Sequence, residues 1–320
     1  MNTVKKIVRS SEFSLIVVFA VVVVIFSLIN PNYISIDNIR NIFNSAFATG
    51  SLAVGMACLL ISHQLDLSAG ATGVLSGMLV ALLLKTGMPW PLAMIIILLF
   101  GAVTGLIKAF FVNKLGFSSF IATLGLSTVF AGLTMALTNA QNIPIGNEQF
   151  WKLGSYNVFG IFPLPFFIMV ILMVIYGVIL AKTRFGRSVY MTGGNANAAR
   201  LAGISPKKVT TILFVNGSVI SALTGILMAA RMHMASPDAL TGSDLDCITA
   251  AILGGVAYTG GRGNMFGVFC GVLLFTAFQN GLVVIGLNSY YRVVAKGLLL
   301  IAALALSFYR EKNREKSLKQ

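Results

Sequence analysis

Apolar stretches of about 20 residues recur along the whole chain. No feature constrains the fold more, because runs of that length match the hydrocarbon thickness of a bilayer rather than the core of a soluble domain. Ten can be traced, at 13–29, 39–61, 68–86, 90–112, 118–138, 163–181, 209–230, 247–260, 264–286 and 292–309. Only 10% of the 320 residues are charged, against about a quarter in soluble domains. The sequence therefore predicts an all-α polytopic integral membrane protein of about ten transmembrane helices, with residues 1–320 forming a single transmembrane domain. Ten helices of about 20 residues use about 200 positions, which leaves no room for a sizeable extramembrane domain. The run 247–260 is short and interrupted by glycine, which predicts a broken or re-entrant helix. The run 39–61 is a second re-entrant candidate, so eight spans compete with ten.

The first stretch, Phe13 to Ile29, follows Lys5, Lys6 and Arg9 and so resembles a signal peptide. It ends in Asn30-Pro31-Asn32 rather than a small-x-small cleavage site, and is read as a retained helix. The 23 Lys and Arg against 9 Asp and Glu give a net charge of +14. In a soluble protein that would suggest nucleic acid; here it reports topology. Ten spans threaded with both termini inside place 17 of the 23 basic residues on the inner face, among them Lys108, Lys114, Lys182, Arg184, Arg187, Arg200, Lys207, Lys208, Arg262 and the tail at about 310–320.

The chain has no G-x-x-x-x-G-K-[ST] or H-E-x-x-H motif, and its two histidines, His63 and His233, form no imidazole cluster. Cys58, Cys247 and Cys270 lack metal-site spacing and read as buried hydrophobes. ATP chemistry, metal catalysis and a cofactor are therefore not expected of this polypeptide. Glycine pairs four apart, Gly73 with Gly77, Gly101 with Gly105 and Gly267 with Gly271, predict close helix contacts.

The longest polar segment assigned to the inner face is 182–208. Gly193-Gly194 is expected to break the chain, Asn195 to cap a short helix, Ala196 to Leu201 to form it, and Gly203 to end it. A bare connector needs only a few residues. This one is much longer and displays Leu201, Ala202 and Ile204, which suits a docking knob for a partner.

At these residues the sequence resembles permease subunits of monosaccharide ABC importers of the ribose, xylose and galactose type. The likeness lies in Phe185-Gly186-Arg187-Ser188-Val189-Tyr190, Gly193-Gly194-Asn195 and Ala198-Ala199-Arg200-Leu201-Ala202-Gly203-Ile204. It continues through Ala235-Ser236-Pro237, Leu245-Asp246, Ile252-Leu253-Gly254-Gly255, Gly260-Gly261-Arg262-Gly263 and Asn280-Gly281-Leu282, with Asp66-Leu67-Ser68 and Phe120 to Gly125 upstream. His63-Gln64-Leu65 stands where that family usually has Gly-Gly-Ile. The resemblance implies a permease in the plasma (inner) membrane of a prokaryote, paired with a second copy or paralogue. It also implies a cytoplasmic ABC ATPase subunit and an extracytoplasmic sugar-binding protein as partners. Gly194, Asn195, Ala199, Arg200, Leu201, Ala202 and Gly203 are then the expected ATPase-coupling residues.

Candidates for the translocation path are Asp66, Ser68, Asn216, Gln279 and Asn280. Asp66 is an acid between apolar neighbours and reads either as a functional intramembrane carboxylate or as a cap of the helix starting near Ser68. The amides serve either as interhelical hydrogen-bonding groups or as partners of sugar hydroxyls. The competing function is an ion-coupled secondary transporter, which would need buried carboxylates.

Overall fold

Apolar length turns directly into helices. The structure is a computed structural model and describes residues 11–318; Lys5, Lys6, Arg9 and Lys319, which carry part of the expected basic ends, lie outside the described residues. In chain order the helices are α1 (Ser11–Ile29), α2 (Ile36–Ile61), α3 (Ala69–Lys85), α4 (Trp90–Ala109, continued by a π-helical turn Phe110–Lys114), α5 (Ser119–Thr138), α6 (Glu148–Ser155), α7 (Leu164–Lys182), α8 (Arg184–Gly194), α9 (Ala196–Leu201), α10 (Pro206–Met232), α11 (Ser243–Leu253), α12 (Met265–Val284) and α13 (Ser289–Leu318). Among the described residues seven helices are long and apolar enough to cross a membrane, and Leu15–Ile29 and Ala69–Lys85 are shorter apolar helices. The all-α polytopic fold is thus as the sequence predicts. The run at 247–260 yields only the 11-residue α11, about 16 Å long at 1.5 Å per residue, before Gly254 and Gly255 (φ +88°) turn the chain.

The bundle is organised around α2 and α10, whose apolar windows are 89% and 67% buried, whereas that of α5 is 22% buried and that of α13 only 6%. Glycine explains the closeness of the centre. A methyl carbon on Gly55 would stand 2.9 Å from the Gly217 α-carbon, and one on Gly77 2.9 Å from the Gly225 carbonyl oxygen. Gly101 and Gly105 of α4 lie against the Ser218 and Phe214 carbonyls of α10. Without water to drive association, backbone proximity of this kind is what holds membrane helices together. Gly225 faces the Gly73 carbonyl with no space for a side chain. Gly225→Val is expected to abolish the monodisperse peak of detergent-solubilised protein in size-exclusion chromatography, since α3 and α10 cannot both stay in place; a wild-type profile would contradict this packing.

Hydrogen bonds and short strand pairings gather loops at two ends of the bundle. At one end the Gly261 N–H donates to the Ile61 carbonyl at 2.8 Å, and the Asn113 side chain donates to the Lys207 carbonyl at 3.0 Å. At the other, β1 (Ile143–Pro144) pairs antiparallel with β4 (Met234–Ala235), Ile143 opposite Ala235, while β2 (Asn157–Val158) pairs with β3 (Phe162–Pro163). There Arg40 donates to the Gly160 carbonyl and Trp151 stacks on His233 with ring centroids 4.5 Å apart. His63 adopts φ +60° at the end of α2, a left-handed conformation suited to glycine. The turn at His63-Gln64-Leu65 therefore keeps a glycine-type shape without a glycine.

Candidate coupling segment and buried charge cluster

The segment 182–208 forms two helices at the end where the loops 62–67, 113–117 and 261–263 meet. Thr183 opens α8 by accepting from the Gly186 N–H. Gly193-Gly194, expected from the sequence to break the chain, instead forms the last turn of α8. The small residue is needed there for packing, since the Gly193 α-carbon lies against the Ile61 carbonyl oxygen and the Gly261 nitrogen. Tyr190 donates its hydroxyl to the Gly263 carbonyl at 2.7 Å. Burial raises the pKa of that phenol, which keeps it a donor.

Asn195 caps α9, its side-chain oxygen accepting from the N–H groups of Asn197 and Ala198 at 3.0 Å each. Gly203 has φ +78°. The Gly203 N–H donates to the Arg200 carbonyl and the Ile204 N–H to the Ala199 carbonyl, the paired bonds of a Schellman ending. Gly194, Asn195, Ala199, Arg200, Leu201, Ala202 and Gly203 are thus one contiguous structure. Ala199 is fully buried and anchors it, whereas the Leu201 side chain is 92% exposed. A cavity of about 830 Å³ opens beside α9, lined in part by His63, Lys114, Arg200 and Lys207.

The second feature was not visible as such in the sequence. Lys108, placed by charge counting on the inner face, is fully buried, and its ammonium lies 2.8 Å from Asp66 Oδ2 and 3.0 Å from Thr72 Oγ1. Asp66 Oδ1 accepts from the Ser68 N–H at 2.9 Å and the Ser68 hydroxyl at 2.6 Å. Ser68 occupies the N-cap position of α3 without capping through its own side chain. The Gly70 N–H, in the first turn of α3, donates to Asp244 at the start of α11. The N-terminus of α3 is therefore ringed by carboxylates, the sign that a helix N-terminus favours. Asp246, two residues on, is ion-paired with Lys296 of α13 at 2.7 Å. The sequence reading singled out Asp66 alone; Asp244 and Asp246 join the half-buried interior because α11 starts earlier than its apolar run.

Of the remaining path candidates, Ser68 joins this cluster and the amides do not. Asn280 Oδ1 on α12 accepts from Asn38 of α2 at 2.8 Å, an interhelical bond. Gln279 Nε2 is buried and has no hydrogen-bond partner among the described residues. Asn216 on α10 is half-buried.

A helical bundle built on backbone-to-backbone contacts, with an ion pair sealed inside it and Leu201 displayed at one end, is the architecture of a polytopic membrane protein. The chain belongs to the family of permease components of the branched-chain amino acid transport system type, which matches residues 38–304. It is 35% identical over 296 residues to the probable ABC transporter permease protein YphD of Escherichia coli, covering 92% of this chain and 88% of that one. It is 36% identical over 287 residues to the ribose import permease protein RbsC of Bacillus subtilis, covering 89% of each. The D-allose transport system permease protein AlsC of Escherichia coli is 34% identical over 291 residues, 90% of this chain and 89% of that one. No solved structure matches the chain.

Proposed function

We propose that this permease carries a monosaccharide inward as the membrane subunit of an ATP-driven importer. It receives the sugar from an extracytoplasmic binding protein and works beside a second permease copy or paralogue. The relatives named for ribose and D-allose support the substrate class. The single observation carrying the partner is Leu201, 92% exposed on a helix whose other face is anchored by buried Ala199. A large apolar side chain held out on a capped, stiff helix is suited to a cleft in a cytoplasmic ATPase. In this reading α8 and α9 lie in the cytoplasm, both termini are cytoplasmic, and α1, α3 and the half-length α11 join the seven longer helices to make ten spans.

Along the path, Gln279 is the amide with an unused donor, whereas the acceptor of Asn280 is taken by Asn38. Asp66 and Ser68 act by shaping the turn that enters α3. Asp66, the carboxylate that an ion-coupled mechanism would first call on, is already neutralised by Lys108.

The test is energetic. Ribose uptake by cells producing the chain with its ATPase and binding protein is expected to cease on ATP depletion and to survive collapse of the proton gradient, because the chain has no phosphate-binding loop of its own. Uptake by the purified chain alone in liposomes, driven by a proton or sodium gradient, would overturn the proposal.

A further inference from the structure

The short helix α11 is tied to different parts of the molecule at its two ends. At its start Asp244 accepts the Gly70 N–H of α3, and Asp246 holds Lys296 of α13 at 2.7 Å. Beyond its other end, the turn 254–264 is bonded to the coupling segment and to α2. Tyr190 of α8 donates to the Gly263 carbonyl at 2.7 Å, and the Gly261 N–H donates to the Ile61 carbonyl at 2.8 Å. Between these ends α11 is seated on α12 by glycine, Gly271 lying against the Ala250 carbonyl and Gly254 against that of Gly267.

In contrast, α13 is loosely held. Among its described side chains only Ala303 is buried. Besides Lys296, its specific contacts to the bundle include the Phe308 ring, 6.1 Å from that of Tyr258. The Asp246–Lys296 pair is partly shielded, the two side chains 15% and 38% exposed. Separating a partly shielded charge from its partner is costly, so such a pair stays closed when the helices bearing it move.

We propose that Asp246 and Lys296 are positioning residues for transport, a latch that makes α13 follow α11 when the coupling segment drives the turn 254–264. This rests on the reading that α9 meets the ATPase. The pair lies on α11 and α13 and not on α9, so its effect is on the yield of transport per ATP and not on assembly.

The test uses the chain assembled with its ATPase and binding protein in proteoliposomes, with labelled ribose. The neutral double variant Asp246→Asn/Lys296→Gln leaves no unpaired charge. It is expected to insert, retain the ATPase and hydrolyse ATP within about twofold of wild type, yet to move roughly tenfold fewer sugars per ATP. A disulfide between Tyr258→Cys and Phe308→Cys should form less readily in that background, because α13 is released. The exchanged pair, Asp246→Lys/Lys296→Asp, should regain about half of the lost coupling. Wild-type sugar yield in the neutral variant overturns the proposal, as does an exchanged pair no better than the neutral one. Failure of the neutral variant to insert overturns it too, because the pair would then be a structural tie. Wild-type uptake that needs no ATP would instead overturn the functional reading itself.

Discussion

Leu201→Asp is expected to abolish sugar uptake while leaving the permease inserted and folded. Leu201 makes almost no contact within the chain, being 92% exposed, so its replacement has little to disturb there. Against an ATPase cleft the same change removes an apolar side chain whose burial is worth about 2–3 kcal/mol and adds a desolvated charge. The loss in affinity is at least about 30-fold, and the ATPase should no longer co-purify. Arg200→Gln, at the edge of the same helix, should weaken retention only modestly and in a salt-dependent way, as exposed ion pairs do. Gly203→Val should also lose uptake, because φ +78° costs a non-glycine residue about 1–2 kcal/mol and loosens the ending that aims Leu201. Full uptake and full ATPase retention in Leu201→Asp would reduce α9 to a connector.

Lys108→Met should lower the amount of folded protein more than any surface change. It leaves the Asp66 carboxylate, itself buried, without its ammonium partner, and breaking a buried pair from one side costs about 3–5 kcal/mol. The double variant Asp66→Asn/Lys108→Met removes both charges and should recover stability to within about 1 kcal/mol of wild type, since well-packed neutral replacements of a buried pair are often harmless. Thermal unfolding of the two proteins in detergent decides the matter. A single variant as stable as wild type would mean that Ser68, which already donates to Asp66, satisfies the carboxylate without Lys108.

These two sites differ in how far the sequence reveals them. Asn195, Leu201 and Gly203 were legible because capping and turn chemistry act over two to five residues, and the hydrogen bonds from Asn197, Ala198 and Ile204 lie within that range. The pairing of Lys108 with Asp66 spans 42 positions. A rule that assigns basic residues to faces by loop position has no means of finding a lysine whose partner arrives from the turn between two other helices. Gly193 illustrates the same limit, since glycine signals a chain break and a close contact equally well, and only the approach of Ile61 and Gly261 distinguishes them. The loop 139–162 hid α6 because eight residues capped by Asn147 are too few for apolar periodicity to register.

The glycine-lined contacts among α2, α3, α4 and α10 have a consequence for how the molecule can move. Backbones that touch at these glycines lose dispersion contacts when they separate, and only a few small or apolar side chains lie between them to soften the loss. These four helices are therefore expected to move as one unit. Larger displacements are expected of helices without such glycine contacts, α5 and α13, whose apolar windows are only 22% and 6% buried. In the proposed transport cycle the glycine-bound helices would then be the fixed part and the loosely packed ones the moving part.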